Sequence, residues 1–528
     1  MKMIRRALLL AFGLSSFSLA FAIMPFVEPS HEAYYHLGVN ASTILLAASA
    51  SFLPIWLLAV VLFLLAERYS RLWGPIWATI IFSAPWILLK NCAWTWAWPV
   101  PHWLSMAVLA SPAAIFGIVS YFRPGAAGAI FRKLQRFAAV LLGFLALSGA
   151  VLLAEFAWSL WQARNLNPPF RSAGRVASQA STPRHPRIVW ILLDELSYRQ
   201  VYERRFPGLK LPAFDQLAAQ STVFSHVIPT AIRTEIAVPS LFTGLPADAI
   251  RVSADGRLQT LRHPGSGAWQ SFDPKRTVFQ DAVADGYSPS ISGWFNPYCR
   301  IFSDLLDQCF WVNRLSYPQP GQSWQTTISI PLRYLRSIFA TGLRLGNVDE
   351  RVEREEAPGH IRDYKEIKAA GDRMLADPAQ DFLFLHIPVP HPFGIYDRRK
   401  MAFAESGGSY LDNLALADQY LGEVRQFLEE RGQWDSSVIV VMGDHSWRTQ
   451  LLWAGRPTWT PEEQQASDGG QFDDRPAYLV KMPMQDKPAR VDTPFQAVKT
   501  RALLDAIMSG RLRTAQDLEA WASAQSGQ

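Results

Sequence analysis

The chain has 528 residues, of which 49% are hydrophobic and 18% charged, with a formal net charge of +6. That length exceeds what one hydrophobic core ordinarily holds, so more than one domain is expected. The positive balance comes largely from short basic anchors beside apolar runs and from arginines that follow them; with no nucleic-acid motif present, nucleic acid is set aside as a partner.

Apolar runs near residues 7–25, 43–66, 73–93, 103–121 and 137–161 are each close to the roughly 20 helical residues that cross a bilayer. Their succession predicts a transmembrane domain of five helices over residues 1–161. The first run, "MKMIRRALLLAFGLSSFSLAFA", also has the basic start and small-residue end of a signal peptide, but the four spans behind it favour an uncleaved helix. Lys2, Arg5, Arg6, Arg68, Arg71, Arg123, Arg132, Lys133 and Arg136 fall on one side of these spans and Lys90 alone on the other. The positive-inside bias makes the richer side cytoplasmic. An odd number of spans then puts the rest of the chain outside the cytoplasm.

Residues 162–186 lose hydrophobicity and gain Pro, Ser and Arg, which reads as a juxtamembrane linker with arginines free to meet anionic lipid heads. From 187 to 528 the composition is that of an α/β domain. "RIVWILL", "DFLFLH" and "SSVIVVM" are short, continuously apolar and β-rich, as strands buried on both faces of a mainly parallel sheet are. Amphipathic stretches such as "LDNLALADQYLGEVRQFLEERG" lie between them and supply covering helices, so an α/β sandwich is expected. Cys299 and Cys309 frame "CRIFSDLLDQC"; in an oxidising compartment they can form a disulfide, and as buried free thiols they need not. The aromatic residues around them either grip a sugar or fill a small core, with core the stronger expectation.

Ligands in such sheets gather where strands end. The first strand ends in Asp194 and Glu195, another in Asp444 and His445, and a third brings His386 and His391. Singly each is ordinary, because a carboxylate after a strand caps helices and a histidine among prolines shapes a loop. Together, carboxylates and imidazoles from three strands around a hydroxyl describe a metal-assisted transfer site.

The ordered stretches "IVWILLDEL", "LPAFDQLAAQSTVFSHVIPT", "TEIAVPSLFTG", "HIPVPHPFG" and "MGDHS" resemble the alkaline phosphatase and sulfatase superfamily. Within it the pattern is most similar to membrane enzymes with five N-terminal spans, the lipid A phosphoethanolamine transferases and lipoteichoic acid synthases. The resemblance implies that Thr234, ten residues ahead of Gly244, is the nucleophile. It also implies that Asp194, Thr234, Asp444 and His445 hold one divalent ion, Zn²⁺ or Mn²⁺, since no histidine follows His445 to complete a second site. His391 falls where the family contacts the transferred group, protonating the departing oxygen and then deprotonating the acceptor. Glu195, Arg233 and His386 are supporting or substrate-binding candidates; Arg233 is equally readable as a surface residue. "TEIAVPS" lacks the C/S-x-P-S-R context of formylglycine sulfatases, which disfavours a conventional sulfatase.

The implied function is transfer of a phosphoryl-linked headgroup, of phosphoethanolamine or phosphoglycerol type, from a phospholipid donor to an envelope glycan or lipid acceptor at a bacterial inner membrane. The alternatives are a phosphodiesterase or other sulfatase-like hydrolase, and a non-catalytic lipid-sensing protein that has kept the fold.

Overall fold

The computed structural model describes residues 2–27, 32–36, 40–69, 71–82, 102–166, 168–175, 185–253, 259–313, 348–456 and 458–525. These fall into two units: residues 2–27 and 40–166 form a helical unit, while 32–36, 168–313 and 349–525 belong to a sheet unit. Lys90, Cys92 and the aromatic stretch at 94–101 lie outside the described residues.

The first helices are α1 (Lys2–Val27), α2 (Glu32–His36), α3 (Ala41–Arg68), α4 (His102–Phe122) and α5 (Pro124–Gln162), with a further helical segment at 71–82. In the helical unit α1 packs between α3 and α5. Gly13 lies against the Leu142 backbone and Gly149 against Ser16, a small-residue contact that lets helices approach closely when no water drives them together. Ala7, Ala11, Phe63, Trp77 and Leu142 fill the space between the helices. Leu57, Val61, Phe144 and Leu147 are exposed instead. Among the described residues, Ala41–Arg68 and Pro124–Asn165 are long and apolar enough to cross a membrane. They coincide with two of the five expected spans; the run at 73–93 is described only to residue 82, and the count of five rests on the sequence.

The sheet unit is built on β1 (Ile188–Leu193), β2 (Thr222–Phe224), β3 (Pro289–Trp294), β4 (Gln308–Val312), β5 (Phe382–Ile387), β6 (Val438–Met442), β7 (Tyr478–Lys481) and β8 (Ala489–Val491). They form one eight-stranded sheet in the order β8-β2-β7-β6-β1-β5-β3-β4. β7 runs antiparallel to both neighbours and every other pairing is parallel. β1, β5 and β6 are buried at every position, because helices cover both faces. Alternate residues of β1 serve opposite cores, Val189, Ile191 and Leu193 in one and Ile188, Trp190 and Leu192 in the other, following the two-residue repeat of a strand.

The helices that cover this sheet include α6 (Thr234–Thr243), α7 (Val348–Ala376), α8 (Tyr410–Glu430) and α9 (Thr500–Met508). Residues of α7 and α8 enter the first core, and residues of α6 and α9 the second. The result is the expected mainly parallel α/β sandwich.

Two expectations have a local counterpart, although the aromatic stretch beyond Asn313 lies outside the described residues. Cys299 and Cys309 are joined as a disulfide, and Trp294 and Tyr298 beside them are buried core residues. The linker is less free than its composition suggests. Arg175 pairs with Asp307 at 3.1 Å, and the Ala173 amide donates to the Leu306 carbonyl at 2.9 Å. A carboxylate on the adjoining turn therefore holds an arginine expected to remain free.

Candidate active site

Register explains why the candidate residues meet. Leu192 of β1 is level with His386 of β5 on one side and Met442 of β6 on the other. Asp194 therefore leaves β1 beside the Gly443-Asp444-His445 exit from β6, at the carboxyl edge where open α/β sheets bind ligands. Asp194, Glu195, His386, Asp444 and His445 are all fully buried.

Thr234 reaches this edge from another direction. It is the first residue of the ten-residue α6, whose far end is closed by Gly244 in the left-handed conformation, φ 68°, a backbone region that glycine enters without a Cβ clash. The Thr234 hydroxyl donates to Asp194 Oδ2 at 3.3 Å and lies 3.4 Å from His445 Nε2. At the other end, Arg501 of α9 donates to the Thr243 carbonyl at 2.8 Å. The helix presenting Thr234 is thus tied at both ends.

The donor set fits a divalent cation. Asp194 Oδ1 and Asp444 Oδ2 are buried with no hydrogen-bond partner, and an unsatisfied buried carboxylate oxygen is costly unless a cation takes it. His445 Nδ1 donates to the Ser446 carbonyl at 3.1 Å. This leaves the Nε2 lone pair, 3.2 Å from Asp444 Oδ2, free to ligate. Burial first, and the Asp444 charge second, push the Asp194 carboxyl well above the usual range. Burial also acts against ionised Asp444, but the His445 and His386 rings, the Thr234 hydroxyl and the Glu195 amide together outweigh it and bring that carboxyl down. Two carboxylates in one dry space call for a positive charge between them.

Ligand atoms of Asp194, Glu195 and His445 also lie within 4.8 Å of one another. Glu195 is nevertheless already engaged, because its carboxylate is paired with Arg448 and accepts from Trp453 Nε1 at 3.0 Å. The orphaned oxygen on Asp444 makes that residue the better ligand. The set that fits is Asp194, Thr234, Asp444 and His445, hard oxygens with one imidazole, compatible with either Zn²⁺ or Mn²⁺.

The remaining candidates separate. His386 Nε2 faces Asp194 Oδ2 at 3.4 Å and its Nδ1 meets the Tyr298 hydroxyl at 2.6 Å; burial lowers its pKa to about 4. His391 accepts at Nε2 from Arg448 Nη2, 3.2 Å away, and its Nδ1 has no partner. Burial and the Arg448 charge hold this ring well below the usual histidine range. It is a neutral imidazole in this arrangement, with its proton on Nδ1. Arg233 is half exposed and paired with the buried Glu235 next to Thr234.

No known family profile matches the chain. A curated protein of Trinickia caryophylli, described as the multifunctional alkaline phosphatase superfamily protein PehA, is 23% identical over an alignment of 310 residues that covers 46% of this chain. The chain is similar to alkaline phosphatase superfamily proteins. It spans 58% of the length of that relative. Among solved structures, the phosphonate monoester hydrolase of Agrobacterium radiobacter aligns at 14% identity over 62% of this chain and 74% of its own, with a TM-score of 0.36. The lipoteichoic acid synthase LtaP of Listeria monocytogenes aligns at 14% identity over 65% and 77%, also with a TM-score of 0.36.

Beside this site stand residues that the sequence alone did not assign to it. Arg448 joins Glu195 to His391; its only sequence signal is a cation closely following the Asp-His pair. Tyr298, Trp294 and Trp453 pack around the two histidines. Trp294 ends β3 and Tyr298 follows it in the same turn, while Trp453 lies beyond Arg448, and nothing in their spacing marks them.

Proposed function

We propose that the chain is a metal-dependent membrane enzyme whose sheet unit transfers a phosphoryl-linked headgroup, of phosphoethanolamine or phosphoglycerol type, from a phospholipid to an envelope glycan or lipid. The observation that carries this reading is Thr234, a buried hydroxyl at the first turn of α6, within 3.4 Å of both Asp194 and His445. A threonine hydroxyl is a weak nucleophile at neutral pH. A divalent ion held by Asp194, Asp444 and His445 would lower its pKa and stabilise charge on a phosphoryl oxygen.

The chain's own groups supply the rest. Thr234 directs its proton at Asp194 Oδ2 and its oxygen at phosphorus; the bond to the diacylglycerol oxygen breaks, that oxygen leaves as the alcohol with a proton in exchange for the one Thr234 gives up, and the headgroup phosphate stays on Thr234. Arg448 orients His391, whose Nδ1–H can hydrogen-bond the leaving oxygen. An acceptor hydroxyl then attacks the phosphothreonine and restores the threonine. The exposed apolar faces of α3 and α5 support a membrane setting that keeps lipid donors near the site at high effective concentration. The Cys299–Cys309 disulfide supports an extracytoplasmic location for the sheet unit, in line with five spans and a cytoplasmic N-terminus. The buried acids argue against a non-catalytic scaffold, because carboxylates held out of water destabilise a fold that makes no use of them.

Full-length protein in detergent, supplied with Mn²⁺ or Zn²⁺ and headgroup-labelled phosphatidylethanolamine or phosphatidylglycerol, should acquire an adduct on Thr234 whose mass identifies the headgroup. Adding envelope lipid extract should move the label to an extract component. Label released only as free headgroup phosphate would instead favour the phosphodiesterase, with water as acceptor. Thr234→Ala should lose activity by a factor on the order of 10⁴, as expected for a covalent nucleophile. Equal label release by wild type and Thr234→Ala would end the proposal.

A further inference from the structure

The stretch "HEAYYHLG" separates two apolar runs and reads as a short connection between spans. Its helix α2 nonetheless belongs to the sheet unit, where Tyr34, Tyr35 and His36 are all buried. Arg300 donates to the carbonyls of Tyr34 and Tyr35 at 3.1 and 2.6 Å. His36 Nδ1 lies 3.4 Å from the Phe295 carbonyl, and its ring is 4.4 Å from the Phe295 ring. Phe295 has a φ of 70°, a left-handed backbone that is unfavourable for a non-glycine residue and persists only where the surroundings hold it. The turn after β3 is therefore shaped from one side by α2 and braced from the other by the Cys299–Cys309 disulfide.

From that turn a hydrogen-bond chain runs to the candidate metal site. The Tyr35 hydroxyl donates to Asn296 Oδ1 at 2.8 Å. Asn296 Nδ2 donates to the Tyr298 hydroxyl at 3.2 Å. That hydroxyl then has its proton for His386 Nδ1, 2.6 Å away, and the remaining imidazole proton, on Nε2, points at Asp194 Oδ2. With Asp194 ionised its oxygen can only accept, and the direction of every link back to Tyr35 follows, because a neutral imidazole has one donor and one acceptor and a tyrosine that accepts from an amide can donate onward. The chain ends by occupying Oδ2, so that Oδ1 of Asp194 is the oxygen left without a partner. Gly293 makes this possible: it is level with His386 across β3 and β5, and a Cβ there would come within 2.3 Å of the Tyr298 ring.

We propose that α2 is a positioning element for the metal-binding carboxylate, with Tyr35 acting on Asp194 through Asn296, Tyr298 and His386. This rests on the reading of Asp194 as a ligand. The element between the first two apolar helices thereby helps set the site's geometry, and Tyr35 and Tyr298 are positioning residues that touch neither substrate nor ion.

The test uses full-length protein in detergent and the variants Tyr35→Phe, Tyr298→Phe and their double, each of which keeps the ring and loses only a hydroxyl. Two quantities are read: Mn²⁺ affinity by calorimetric titration, and the tautomer of His386 from side-chain ¹⁵N shifts in metal-free protein, assigned by loss of its signal in His386→Gln. Tyr298→Phe should weaken Mn²⁺ binding about 10–100-fold, the usual effect of removing a partner behind a metal ligand. Tyr35→Phe should weaken it roughly threefold, the smaller share of a more distant link in a hydrogen-bond network. The double variant should bind no more weakly than Tyr298→Phe, since the chain is already cut. In metal-free protein His386 should be the Nε2–H tautomer in wild type and a mixture in Tyr298→Phe. A double variant whose loss is the product of the two single losses, or a Tyr35→Phe that leaves affinity and tautomer unchanged, would overturn the proposal. Wild type that binds no Mn²⁺ but shows the expected tautomer shifts would retain the relay and refute only the metal reading of Asp194.

Discussion

The helices of the two units differ in what they expose. On α3 and α5 the outward residues are Leu57, Val61, Phe144 and Leu147, while Ser15 and Ser16 on α1 are buried and bond back to their own helix at 2.8 Å. On α8 the pattern is reversed. Leu414, Tyr420 and Leu421 face the core, Arg425 pairs outward with Glu429 at 2.7 Å, and Ser409 and Asp412 cap the first turn reciprocally. The same backbone geometry thus carries two opposite kinds of outer face. A helix among lipid tails can show apolar side chains outward and gains from close small-residue contacts, whereas one facing water needs a polar outer face and capped ends.

The largest break in this comparison should come from the middle of the sheet unit. Phe384 of β5 is fully buried and lies 4.6 Å from Trp190 and 5.1 Å from Phe242 of α6, ring centre to ring centre. Phe384→Ala should lower stability by about 3–5 kcal/mol, the usual cost of a large core cavity, seen as an earlier chemical-unfolding midpoint for the sheet unit. Thr234 sits on the same packed helix, so activity should fall in parallel.

A paired substitution sharpens the contrast between solvents. Val61→Arg, on an exposed face of α3, should cost about 2.5–3.5 kcal/mol if that face meets lipid near mid-span. Gln426→Arg, on the exposed face of α8, should change stability by about 0.5 kcal/mol or less. Membrane-insertion yield for the first and thermal unfolding for the second provide the readouts. An equally harmless Val61→Arg would mean that α3 faces water.

An effect smaller than that of Val61→Arg is a pH dependence in the sheet unit. Burial, with the Asp281 charge next, raises the Asp505 carboxyl on α9 to about 7. The folded state therefore holds this proton more tightly than the unfolded chain does. Its contribution to stability is full below about pH 4 and is lost as pH rises through about 7. Solvent screening of a carboxyl about a third exposed reduces this to about 1 kcal/mol. Asp505→Asn should flatten the dependence and leave the protein more stable than wild type at pH 8, measured by thermal unfolding at pH 5 and 8.

Much of the sheet unit is legible in the chain. Continuous apolar runs of five or six residues cannot be amphipathic surface strands, so "IVWILL", "FLFLHI" and "VIVVM" announce a sheet covered on both faces. Polar residues that break or follow those runs mark the edge where the candidate site lies, which is why Asp194, His386, Asp444 and His445 stand out in the sequence. Thr234 is reached through a resemblance, since a threonine before an apolar helix has no chemical signature of its own. Arg448 escapes a sequence reading because one arginine after a strand looks like any surface cation. The protonation of His391 is also hidden, since it depends on Arg448 donating to its Nε2.

By itself the sequence determined which segments are apolar all round, which form strands, and where each strand gives way to ionisable groups, because these depend on composition and period along the chain. Only the tertiary structure decided that Leu192 lies level with both His386 and Met442, that Glu195 is held by Arg448, and that α2 packs beside Asn296. Register and packing join residues tens to hundreds of positions apart, and local preference cannot encode which distant side chain will stand within hydrogen-bonding reach of another.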